Sequence, residues 1–204
     1  MDKNGIKMSA NDAYREKQAA ILKVAGRVLS QDGYANFSMR KIAADSGVSL
    51  RTIQHYFPAK RGLLSATVDY RFGTFRDYRP KLERIAKKHG GQRVLSEWIK
   101  IFIAVSVAAE QGEFTLETWS AARKEPAVRE SLMELQKSGM EYAAWIMLQC
   151  NPELSEKEAG VRGTIAFSTM SGLVPLLICD SLKANQLPSM RRELETYFLA
   201  LAKL

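Results

Sequence analysis

Residues 49–60, SLRTIQHYFPAK, gather the side chains best suited to reading a nucleic-acid duplex. An arginine can fork onto guanine O6 and N7, and a glutamine can pair bidentately with adenine. Arg51 and Gln54 supply those two groups on what must be the polar face of a short helix, with Leu50, Thr52 and His55 beside them. Ser38, Tyr56 and Lys60 suit phosphate oxygens, whose contacts fix register without reading sequence. Lys60 opens a helix, so free backbone N–H groups stand beside it for the same phosphate. Arg40 and Ser49 complete the candidate contact set.

These groups must be held by two helices and a turn. Ser38 can cap a first helix, and Met39, Ile42 and Ala43 give it an apolar stripe. Gly47 ends that helix, Val48 plugs the turn, and Ser49 caps the second helix. Ile53, Tyr56 and Phe57 form the second helix's inner side, Pro58 stops it, and Lys60 and Arg61 begin the next. Such an order lets the second helix enter a major groove while the first crosses the backbone. Helix–Gly–helix corners are widespread. The GVS turn, the HYF end and the Pro-x-Lys that follows make this one far more specific.

Together these residues resemble the DNA-binding domain of the TetR family of bacterial transcriptional repressors. The matching elements are Ser38, Arg40, Ile42-Ala43, Gly47-Val48-Ser49, Tyr56-Phe57, Lys60 and Leu63-Leu64. Arg51 and Gln54 depart from the residues usual in the family, so no relative's operator can be assigned to this chain. The resemblance implies a repressor that leaves a palindromic operator when a small molecule binds the middle of the chain. It also implies a homodimer formed through the last two long helices. The segment GEFTLETWSAARKEPAVRESL further resembles the choline-responsive regulators of glycine betaine synthesis in that family.

Charge agrees with a polyanion partner. Residues 1–64 hold 11 Lys and Arg against 5 Asp and Glu, out of 30 against 22 in the whole chain of 204. That excess attracts nucleic acid with little sequence preference and falls steeply with salt. The basic residues do not oppose a long apolar face, which disfavours a membrane surface. No apolar run suggests a bilayer span, and the polar start MDKNGIKMSAND lacks a secretory core, so a cytoplasmic location is expected. Cys150 and Cys179 have no metal-ligand partners at useful spacing and read as free thiols. Neither a metal nor a cofactor is expected. The chain has two His at unrelated places and no P-loop, GxGxxG or GxSxG signature, so an enzyme is not expected.

The predicted fold is all-α: a three-helix DNA-binding domain over residues 1–64, with an arm at about 1–14, then a larger helical domain over 65–204. Helices are expected at about 15–31, 60–78, 92–110, 114–123, 126–149, 155–182 and 188–203, with Pro80 closing the second of these and KKHGG at 87–91 a loop. Pro175 is expected to kink the penultimate helix. Its small residues and the terminal stripe predict a dimer interface of Gly163, Phe167, Ser171, Leu194, Tyr197, Phe198 and Leu201. An effector pocket is expected from Trp98, Phe102, Phe114, Glu117, Trp119, Met140, Tyr142, Trp145, Phe167 and Met170. The aromatic residues with Glu117 would make a cage for a quaternary ammonium group. The competing reading is a helix-turn-helix regulator with no small-molecule ligand, constitutive or controlled by a protein partner.

Overall fold

A computed structural model describes residues 10–76, 78–106, 109–179 and 181–204, and every regular element among them is a helix. The helices are α1 (Ala10–Asn36), α2 (Met39–Asp45), α3 (Leu50–Tyr56), α4 (Lys60–Arg76), α5 (Arg79–His89) and α6 (Gly91–Ser106). They continue as α7 (Ala109–Ala122), α8 (Pro126–Cys150), α9 (Glu156–Ser171), α10 (Leu173–Ile178) and α11 (Leu187–Lys203).

Local chemistry sets the helix ends around the turn. Ser38 Oγ accepts from Lys41 N at 3.2 Å and Ser49 Oγ from Thr52 N at 3.0 Å, so each serine satisfies a donor that its helix leaves free. Gly47, at φ 64°, reverses the chain between them. Helix α1 differs from expectation at both ends. It starts at Ala10, which makes the second half of the expected arm helical, while residues 1–9 lie outside the described residues. Its C-terminal end runs past Gly33, whose φ of 76° and ψ of 167° break the helical path before one more turn.

A further correction concerns α5. Pro80 does not close a helix but sits in the first turn of α5, where a missing N–H costs nothing. Lys87, Lys88 and His89 form its last turn, where cations face the negative end of the helix dipole. Only Gly90 and the start of α6 remain of the loop expected there. The expected kink near Pro175 is a break at Gly172, which separates α9 from α10.

Two apolar cores result. The first joins Ile21, Leu29, Phe37, Ile42, Ile53 and Leu64 to Val68, Phe72, Phe114, Ala121, Val128 and Leu132. It therefore runs from the three N-terminal helices into α7 and the start of α8, across the boundary expected at residue 64. The second joins Leu82, Leu95, Ile99, Ile146, Met170, Leu194 and Phe198 from α5, α6, α8, α9 and α11. Each fully buried Leu, Ile or Phe contributes about 1.5–3 kcal/mol relative to exposure. The shared first core makes α7 the floor on which α1 lies.

Glu156–Ile178 reaches the length and mean hydropathy of a membrane span, which the sequence reading did not anticipate. One face of this α9–α10 segment, with Ala159, Gly163, Ala166 and Met170, is buried, chiefly against α8. The opposite face is open, with Val161, Ile165 and Leu176 exposed among Thr164, Ser168 and Gly172.

Candidate nucleic-acid interface and the cavity behind it

Helix α3 presents Arg51, Gln54 and His55 to solvent, while Ile53 is fully buried beneath them. Thr52 is half-buried and its hydroxyl shares a hydrogen bond with Ser49 Oγ at 2.9 Å. Leu50 is half-buried and packs on the first core, so it supports the helix from below. Arg40 and Ser38 are exposed on the α2 side, and Tyr56 is half-buried at the end of α3. Tyr14 of α1 lies across Tyr56 with ring centroids 4.5 Å apart and meets His55 edge-on at 6.2 Å. The sequence reading missed Tyr14, because a helix begun at residue 15 leaves it in the arm. Its Tyr-on-Tyr packing fixes the α3 C-terminus beside α1 and puts a third aromatic at the expected phosphate edge.

Ionic contacts hold α2 to its neighbours. Lys41 Nζ lies 3.3 Å from Asp32 and 3.6 Å from Asp45, and its pKa is raised chiefly by the hydrogen bond to Asp32. Arg40 and Arg51 make no ion pair among the described residues, which leaves two guanidinium groups open toward solvent.

Behind this face, Tyr34 ties the N-terminal helices to the rest of the chain. The break at Gly33 turns the Tyr34 N–H out of the helix, and Glu117 Oε2 of α7 accepts it at 3.0 Å. The Tyr34 hydroxyl donates to Glu125 at the α7–α8 turn, and Lys60 Nζ sits 4.8 Å over the Tyr34 ring. Burial, then the bond to Glu125, pushes the Tyr34 hydroxyl up to about 12. Lys60 is thus half-buried against an aromatic face at the start of α4.

A cavity of about 340 Å³ opens among α4 to α10. Trp98, Phe102, Trp119, Tyr142 and Phe167 line it, as do Phe72, Arg79, Gln111, Thr115, Leu135 and Ser171. The other expected pocket residues lie elsewhere. Phe114 and Met170 are fully buried in the two cores. Trp145 and Met140 face an outer groove between α8 and α9, with Trp145 stacked on Tyr142 at 5.4 Å. Glu117 points at Tyr34, not into the cavity, so the expected cation cage has no carboxylate from that residue. Arg79 and Gln111 were not anticipated. Arg79 fell at an assumed helix stop, and Gln111 in an assumed gap between helices.

The expected association residues also divide. Leu194, Phe198 and Leu201 are buried inside the subunit, Phe198 completely. Gly163 lets α9 approach α8, since a Cβ there would lie 2.3 Å from Ala144 N. Phe167 packs over Gly139 and, with Ser171, borders the cavity. Only Tyr197 of that set is open, at 49 % exposure. The apolar face left uncovered is Val161, Ile165 and Leu176, at 57, 39 and 45 %, spaced along one side of α9–α10 with Ser168 and Gly172 between.

A serine-capped second helix with Arg51 and Gln54 exposed, set on a helical body with its own cavity, has the geometry of a helix-turn-helix DNA-binding protein. Residues 21–67 match the family model for bacterial regulatory proteins of the tetR family. That match covers the helix-turn-helix segment, and the whole chain shares its fold with solved transcriptional regulators. A Rhodococcus protein described as a TetR-family transcriptional regulator superposes with a TM-score of 0.68 at 19 % identity, over 91 % of this chain and 96 % of that one. A Saccharomonospora viridis protein described as a transcriptional regulator, solved with choline, gives 0.73 at 17 % identity, over 90 % and 95 %. The transcriptional regulator FadR from Bacillus subtilis, solved with stearoyl-CoA, gives 0.70 at 19 % identity, over 88 % and 96 %. No curated protein matches the sequence.

Proposed function

We propose that the protein is a repressor that binds a palindromic operator as a homodimer and is released when a small molecule fills the cavity. The observation that carries this reading is the double duty of α7. Thr115 and Trp119 border the cavity, and Glu117 between them holds the Tyr34 N–H of the DNA-binding head. Helix α4 repeats the arrangement, with Phe72 at the cavity and Lys60 under Tyr34 next to the recognition helix. A ligand that moves α7 or α4 changes the seat of α1 and α3, and by linkage DNA binding must weaken ligand binding to the same degree. Two proteins of the same fold were solved with small molecules, choline and stearoyl-CoA, which supports an effector as the signal.

In this reading the open face of Val161, Ile165 and Leu176 is where the second subunit packs. A two-fold dimer places two copies of α3 one helical turn of DNA apart or a multiple of that, hence a palindrome. Within each half-site Arg51 and Gln54 read bases, while Ser38, Arg40 and Tyr56 position the helix on phosphates; Lys60, expected on a phosphate, lies over the Tyr34 ring and serves the joint instead.

The test is selection of bound fragments from a genomic pool by the purified protein across a salt series. Recovery of one palindromic motif that Arg51→Ala no longer retains supports the reading. Uniform, salt-sensitive retention of all fragments, with no motif, refutes it.

A further inference from the structure

We propose that the cavity takes a small monoanionic amphiphile, its carboxylate at Arg79 and its apolar body against Trp98, Phe102 and Phe167. This rests on the reading of the cavity as the effector site and names the chemistry of what enters it.

Among the described residues, Arg79 is the single charged side chain lining the cavity; it stands at the rim, 57 % exposed, with the Glu83 carboxylate beside it. Its Nε pairs with Glu83 Oε1 at 3.0 Å, but that is one edge of a five-donor group. Arg79 is also the first residue of α5, so the positive end of an 11-residue helix stands at the same wall. The donors that Glu83 leaves free give the rim of an otherwise uncharged lining a group that can hold a carboxylate.

The uncharged polar groups ask for the same partner. Gln111 lines the cavity at 8 % exposure, and its side-chain nitrogen has no hydrogen-bond partner among the described residues. The Tyr142 hydroxyl, also on a cavity residue, lacks one as well, and burial raises its pKa far above the usual phenol value. Both are donors held away from water without an acceptor, a costly state that an acceptor-bearing ligand removes.

A cation is disfavoured by how the aromatic rings are already used. Trp145 stacks on Tyr142 with planes 5° apart, and the Arg79 guanidinium lies 5.6 Å over the same ring. The tyrosine face that would hold a quaternary ammonium is therefore engaged by a side-chain cation. A volume of about 340 Å³ falls at the small end of ligand cavities, which suits a medium-length chain.

The experiment compares decanoate, decanol, decyltrimethylammonium and choline on the full-length protein, by isothermal titration and by the fluorescence of Trp98 and Trp119. Decanoate should bind at least roughly tenfold more tightly than decyltrimethylammonium, a gap of about 1.4 kcal/mol. Arg79→Gln should erase that preference while leaving decanol affinity unchanged, and Arg79→Lys should keep most of it. Equal or tighter binding of either cation overturns the proposal, as does decanoate affinity unaltered by Arg79→Gln. If no compound binds while operator binding is intact, the ligand class is wrong and the DNA-binding reading stands. If decanoate binds as expected yet operator affinity does not change, the ligand class holds and release by effector fails.

Discussion

Gly33→Ala is the sharpest perturbation of the joint between the DNA-binding head and the cavity. Gly33 has φ 76° and ψ 167°, a region essentially closed to residues with a Cβ, and forcing one there costs about 1–3 kcal/mol. The added methyl would also lie 3.3 Å from Glu117 Oε2, the oxygen that accepts the Tyr34 N–H. Losing part of a hydrogen bond to a charged acceptor adds roughly 1 kcal/mol, toward the low end for such bonds because the site is only part-buried. The sum is about 2–4 kcal/mol. For a chain of this length each kcal/mol moves Tm by about 2–4 °C, so a fall of roughly 4–16 °C is expected in a circular-dichroism melt. Gly73→Ala is the matched control: it sits within α4, its Cβ would meet nothing within 4 Å, and it should raise Tm by about 1–3 °C. A Gly33→Ala protein that melts within about 2 °C of the parent refutes the argument that this joint is held by a glycine-only backbone.

Three further outcomes follow from named contacts. Arg51→Ala should weaken binding to the selected operator by roughly 5- to 150-fold per half-site, the range of one lost bidentate base contact, while binding to random DNA falls far less; filter binding reads both. Ile165→Glu places a charge on the open face of α9 and should leave a monomer in light scattering where the parent is the proposed dimer, without lowering secondary structure; a variant that is still dimeric refutes this face as the interface. With a disulfide indicator at pH 8, exposed Cys179 should react first and half-buried Cys150 far more slowly, because burial pushes the Cys150 thiol up to about 11. The sign follows: the folded state keeps the Cys150 proton longer than the unfolded chain, so this group's contribution to stability is full below the ordinary thiol range. It is lost as pH rises through about 11.

What the sequence made legible was the chemistry that acts over a few residues. Ser38, Gly47 and Ser49 announce two helix starts and a turn whatever surrounds them, and the structure bends the chain there. Helix α5 was equally local but was misread, because Pro80 serves to start a helix as well as to stop one. Lys87, Lys88 and His89 before Gly90 carried the signal of a helix C-terminus. The association face was not legible in the same way. A stripe such as Leu194, Phe198 and Leu201 states that something covers it, not whether the cover is the same chain or another. Here α6, α8 and α9 cover it, so the open stripe falls on the far side of α9.

Glu117 shows where such reading ends and why the distinction matters for mechanism. Its carboxylate in a run of aromatic residues reads as a cage for a cation, yet its neighbours Thr115 and Trp119 meet the cavity while it meets α1. Residues two apart on a helix diverge by about 200°, so one helix can serve two surfaces at once. That division of α7 is what a switch requires: a side chain displaced by ligand on one side and a hydrogen bond to the DNA-binding head on the other, joined by a rigid turn of helix. Glu117→Gln, which keeps an acceptor and drops the charge, separates the two roles. It should leave ligand affinity in the absence of DNA nearly unchanged while weakening the ligand's effect on operator binding. Loss of ligand affinity itself would instead put Glu117 back among the groups that bind the effector.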